Sequence, residues 1–142
     1  MKRRMMFAPV ALCSTLCAMP VAAQDYANLG ASLFDNYVTG GGADDAEADF
    51  NGEADFRRGR LCYYLEIDGL DDANGVAIHQ AEAGADGPET LALTLPAENG
   101  EEACVSADAA LLRIIGETPT DYYVIVRSEG HPEGAIRGQL HD

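Results

Sequence analysis

Residues 121–140, DYYVIVRSEGHPEGAIRGQL, constrain the fold more than any other stretch. Tyr122, Val124 and Val126 alternate with Tyr123, Ile125 and Arg127, and side chains two apart share one face of a β-strand. His131, Pro132 and Gly134 break the alternation, and residues 135–140 resume it. Two alternating runs around a break bearing Pro and Gly predict a hairpin, so the chain ends on paired strands.

Nothing upstream contradicts a β domain. Residues 26–42 carry a weak apolar pattern (Leu29, Leu33, Phe34, Tyr37, Val38) that ends in Gly40-Gly41-Gly42, a first or edge strand followed by a loop. Residues 53–58 and 60–67 read as a hairpin around Gly59, with Leu61, Tyr63, Leu65 and Ile67 on its core face. Residues 68–75 are turn-rich. Short strands follow at 76–79, 90–95 and 102–105, and Ser106 or Asp108 can cap a two-turn helix that buries Leu111, Leu112 and Ile115 and stops at Gly116 and Pro119. There is no βαβ alternation, which excludes a doubly wound α/β fold. The expected class is all-β: an antiparallel Greek-key β-sandwich or flattened barrel of about 7–8 strands with one short helix.

The amino terminus reads as a Sec-type export signal. Lys2, Arg3 and Arg4 precede a mostly apolar run at 5–16, and Val21-Ala22-Ala23 supplies the small residues a signal peptidase accepts before Gln24. The run is too short, and too interrupted by Pro9, Ser14, Thr15 and Pro20, to remain as a membrane span. Asp25 and Asn28 disfavour a buried amino-terminal helix, and Leu16 occupies the small-residue position that a lipoprotein site at Cys17 needs. The expectation is a signal peptide over 1–23 and one domain over 24–142, periplasmic or secreted.

Without the signal, six arginines and no lysine stand against 24 acidic residues, a formal net of −18. Such a surface repels nucleic acid and anionic lipid, so neither is an expected partner, nor is stable membrane insertion. It suits solubility, or attraction of cations. Cys13 and Cys17 leave with the signal, and the remaining pair, Cys62 and Cys104, predicts one disulfide in an exported protein. Closing a loop of about 43 residues is worth roughly 4 kcal/mol by chain entropy. With no CxxC spacing, structural zinc is not expected at this pair.

Candidate chemistry is sparse. Asp45, Glu47, Asp49 and Asn51 lie two apart before Gly52, the alternation of a calcium loop, but without its distal bidentate Glu; a solvated acidic turn is the plainer expectation. There is no GxSxG elbow, HExxH helix or phosphate-binding Gly loop. Arg137 alternates with apolar neighbours and is expected to bridge an acid and backbone carbonyls. Gly134 and Gly138 suit a tight turn and a close strand approach.

Three segments resemble the chordin-type domain, CHRD, found in microbial secreted proteins as well as in chordin. Leu61-Cys62-Tyr63-Tyr64-Leu65 with Gly69-Leu70 is similar to a family strand ending in a turn. Ala77-Ile78-His79 with Gly84, Gly87 and Pro88 resembles HIHxGxxGxxGP. Tyr122-Tyr123-Val124 through Pro132, Gly134, Ile136, Arg137, Gly138, Gln139 and Leu140 resembles YVNVHT followed by PxGxIRGQL. Bacterial members often carry cysteines at the positions of Cys62 and Cys104. The departures matter for function: Ala77 and Arg127 stand where the family has histidines, and Ile125 where it has Asn, so His79 alone survives of that set. A fixed positive charge at Arg127 opposes a dication, and the expectation is that it fills the space of the lost histidines and pairs with an acid.

The resemblance implies an exported, non-enzymatic binding, adhesion or structural module with no cofactor and an unidentified macromolecular or cell-envelope partner. One alternative is an envelope protein stabilised by Ca2+ at its acidic runs. Another is a degenerate relative of the superoxide-dismutase sandwich, which the HxHxxG spacing also resembles; His79, His131 and His141 are too few for its two-metal site.

Overall fold

The computed structural model describes residues 23–142, so the expected signal segment lies outside the described residues except for its last position. Eight strands form a single antiparallel sheet: β1 Tyr26–Phe34, β2 Glu47–Asp55, β3 Arg60–Asp68, β4 Ala73–Gln80, β5 Glu89–Leu93, β6 Glu102–Ser106, β7 Tyr122–Ser128 and β8 Ile136–Gln139. Their order is β5-β4-β7-β8-β1-β2-β3-β6. The expected all-β class, strand number and closing hairpin are all present. Non-neighbouring strands are joined at β3–β4, β5–β6 and β6–β7, and the last of these connections carries the helix α1, Ala109–Glu117.

The sheet curls until its two edges nearly meet. Tyr63 on β3 points inward, and its hydroxyl both donates to the Thr94 carbonyl and accepts from the Thr94 N–H at 2.8 Å, joining the far side of β5 to β3. Where β6 stops pairing, Asn99 takes over the free edge of β3: its side chain accepts from the Ile67 N–H at 2.7 Å and donates to the Ile67 carbonyl at 2.9 Å. These contacts satisfy edge groups that would otherwise invite pairing with another chain.

Period-2 alternation decides what fills the barrel. Leu29, Ala31 and Leu33 meet Phe50, Leu61, Tyr63, Leu65, Val76, Ile78, Val124, Val126, Ile136 and Leu140 in one core. The Phe50 and Tyr63 rings stack at 5.3 Å. One end is plugged by α1, whose N-cap is Asp108, accepting from the Ala110 and Leu111 N–H groups. Leu112 and Ile115 are buried while Leu111 is only half-buried.

Three local expectations need correction. The acidic run is a turn only up to Asp45, because β2 already starts at Glu47 and pairs along its whole length with β1 and β3. Residues 73–75 belong to β4, since pairing with β7 overrides their turn propensity. Gly116 lies within α1, and a Cβ there would sit 2.7 Å from Ala27 and 2.9 Å from the Phe56 ring, so glycine lets the helix approach the sheet. The Cys62–Cys104 disulfide is present, staples directly opposed residues of β3 and β6, and spans a separation of 42 residues. No helix among the described residues is long and apolar enough to cross a membrane.

Candidate functional site

The hairpin β7–β8 lies mid-sheet and is buried on both faces, unlike an ordinary half-solvated antiparallel strand. Its outer face is roofed by two loops, residues 81–88 and 38–42. Strand parity therefore sends polar side chains into a covered space. Register places His79 opposite Tyr123, Tyr123 opposite Gln139, and Ile125 opposite Arg137.

Arg137 is the centre of this face and is 2% exposed. One terminal nitrogen donates to Asp86 Oδ1 at 3.1 Å, the other to the Glu82 carbonyl at 3.2 Å, and the guanidinium carbon lies 3.5 Å from the centroid of the Tyr123 ring. A buried charge is tolerable only when it is paired and hydrogen-bonded, and here an acid, a carbonyl and an aromatic face share that task. The expected bridge between an acid and backbone is therefore present, and it clasps the 81–88 loop to the sheet. Asp86 is steadied in turn by the Thr39 hydroxyl at 3.0 Å. Gln139 donates to the Ala81 and Thr120 carbonyls, both at 2.7 Å, which leaves its buried Oε1 without a partner.

His79 is a strut of the same roof. Its Nδ1 is 2.8 Å from the Gly87 carbonyl, an acceptor only, so Nδ1 carries the proton. Its Nε2 then offers a lone pair, and Arg127 donates to it at 2.9 Å. Arg127 also meets Glu89 at 3.5 Å. The expected pairing of Arg127 with an acid is thus observed, and the arginine occupies the very nitrogen through which His79 would bind a metal. Tyr123 completes the strut, with its hydroxyl 3.2 Å from the Gly87 nitrogen and 3.3 Å from the Gly87 oxygen.

The motif glycines serve the backbone. Gly87 has no room for a side chain, because a Cβ would fall 1.8 Å from the Gln80 carbonyl oxygen. Gly138 is similarly crowded by the Ser32 carbonyl at 2.3 Å, the close strand approach expected of it. Gly84 turns the roof loop at φ 82°, and Gly134 turns the hairpin loop after the exposed Pro132 at φ 151°.

Asp45, Glu47, Asp49 and Asn51 do not gather around a point. The last three stand along the exposed face of β2, with Glu47 opposite Asp68 and Asp49 opposite Glu66. Asp49 accepts from Ser32 at 3.0 Å. His131 sits in the hairpin loop, and His141 packs its ring over Gly30. Among the described residues the one convergent group of three potential ligands is Cys62, Glu102 and Cys104, and its sulfurs are bonded to each other.

The sequence did not single out the partners: Asp86, Glu82, Glu89 and Thr39 come from loops or strand ends. Asp86 had one usable signal, as the acid inside the glycine-rich loop that must cover an outward-pointing arginine. Also missed was a cleft of about 570 Å3 beside the roof, bounded by Ser32, Phe34, Asn36, Tyr37, Ala83, Gly84, Arg137, Gln139 and His141. Tyr37, part of the weak apolar pattern of residues 26–42, is 54% exposed where it lines the cleft and meets Phe34 edge to face at 5.4 Å.

No curated protein and no solved structure matches the chain. The CHRD domain family matches residues 32–140, from the last three residues of β1 to the residue after β8, and so includes the roof loop, the arginine clasp and the disulfide. The chain belongs to the CHRD domain family.

Proposed function

We propose that this is an exported, non-enzymatic binding module whose ligand face is the cleft beside the roof loop. The observation that carries this reading is the lining of the cleft: in a chain with 24 acidic residues, no carboxylate among the described residues lines it directly, and Asp49 and Asp86 stand behind it on Ser32 and Arg137. Random decoration of so acidic a surface would place acids there. Their exclusion, with an exposed tyrosine and several uncharged polar groups in their place, fits a recognition surface. A volume of about 570 Å3 falls in the range of small-ligand sites, roughly 300–1,000 Å3.

Export is supported by the basic and apolar amino terminus and by the disulfide, which needs an oxidising compartment to persist. The non-enzymatic reading is supported by the roofed face itself, whose histidine and arginines are engaged in holding the loop. The histidine-metal reading loses ground to Arg127, which sets a permanent cation against His79 Nε2.

The test is retention of the purified protein on immobilised cell-surface extract, compared with Ala83→Trp. Ala83 is an exposed loop residue at the cleft, and an indole there fills the mouth without entering the core. The reading predicts that the wild type is retained and that the variant, at unchanged melting temperature, is not. Equal retention of the two would refute it.

A further inference from the structure

We infer that the cleft takes a neutral saccharide unit; this rests on the cleft being the ligand face. Each wall narrows the ligand chemistry. A cation finds no carboxylate among the lining residues. An anion finds a single buried guanidinium whose two terminal nitrogens are already bonded to Asp86 and Glu82, in a protein of strongly negative charge. A purely apolar ligand would desolvate the side chains of Asn36 and His141 without return.

An uncharged polyhydroxylated ring satisfies all of these walls. Tyr37 is exposed and stands perpendicular to Phe34, which braces it by its edge contact. The negative face of an aromatic ring attracts polarised C–H groups of the kind a sugar ring presents. Asn36 supplies both donors and an acceptor. Gln139 spends its amide nitrogen on the Ala81 and Thr120 carbonyls and its Oε1 is buried, so it shapes the cleft wall and offers the ligand no hydrogen bond.

The test is calorimetry of the purified protein with neutral oligosaccharides built from glucose, mannose, galactose or N-acetylglucosamine, beside uronic-acid and sulfated counterparts. At least one neutral series should bind with a Kd below about 1 mM, an affinity of roughly 4 kcal/mol. Tyr37→Ala should weaken it about tenfold or more, a loss of roughly 1.4 kcal/mol. Tyr37→Phe should retain it, and Tyr64→Ala, which removes an equally exposed ring elsewhere, should leave it unchanged. Binding only of the anionic counterparts, no binding by any series, or indifference to Tyr37→Ala would each overturn the inference. If no sugar binds while extract retention still depends on Ala83, the binding-module reading stands and only the ligand class falls.

Discussion

Arg127 donates from Nη2 to Nε2 of His79 across 2.9 Å, closing the one imidazole nitrogen left after Nδ1 bonds Gly87. The histidine has become a structural strut, and three neighbouring outward positions, Ala77, His79 and Arg127, retain the parity of a three-imidazole set. Replacing Arg127 and Ala77 with histidine should therefore create zinc affinity. Zinc at about a hundred times its Kd should raise stability by roughly 2.7 kcal/mol in the double variant and by nothing in the wild type, read as a shift in Tm. An unresponsive double variant would mean that parity alone does not bring these positions together.

Arg137→Ala should destabilise the domain by about 3 kcal/mol, because it removes a buried, paired cation and leaves the Glu82 carbonyl and the Tyr123 face uncovered. Asp86→Ala should cost less, since that side chain is 63% exposed and water can partly replace it. Urea unfolding of both variants measures the losses directly, and a loss below about 0.5 kcal/mol at both positions would contradict the clasp.

Tyr63→Phe should cost about 1–2 kcal/mol by leaving the Thr94 N–H and carbonyl without their partner at the barrel seam. Burial pushes the Tyr63 phenol above its ordinary value of 10.0, although the Thr94 N–H pulls partly the other way. Burial, then the neighbouring Asp121 charge, raises Tyr122 likewise. The folded state therefore holds these protons more tightly than the unfolded chain does. Their contribution is complete below about pH 10 and is lost as pH rises through the folded-state values. Denaturant titrations from pH 8 to 11 should show this decline, and it should be smaller in Tyr63→Phe.

Reduction of Cys62–Cys104, or replacement of both residues by serine, should lower stability by up to roughly 4 kcal/mol, the chain-entropy figure for a loop of this length. The effect should be concentrated at β6, which pairs with β3 alone. Hydrogen exchange that accelerates at residues 102–106 before other strands would confirm that the disulfide secures the barrel's edge.

Much of the fold was legible because alternation is a local signal. Tyr122 to Arg127 and Leu61 to Ile67 announce their strands by parity, and Asp108 announces its helix by the capping it supplies. Glu47 to Asn51 misled because acidic composition favours turns while the sequence carries no mark of the two strands that pair on either side. The clasp was half legible: Arg137's outward parity can be read from residues 135–140, but its partners reach it from 51 and 55 residues away in sequence. The cleft was not legible at all, since it forms where the end of β1, the roof loop and β8 converge.

The most direct test of the ligand face is an amide-shift map of the 15N-labelled protein against polysaccharide, protein and lipid fractions of the cell surface, added separately. The account predicts that one fraction, the polysaccharide if the saccharide inference holds, shifts residues 34–37, 83–84 and 137–141 together. Shifts centred instead on the acidic ladder of Glu47, Asp49, Glu66 and Asp68, or silence from all three fractions, would contradict it.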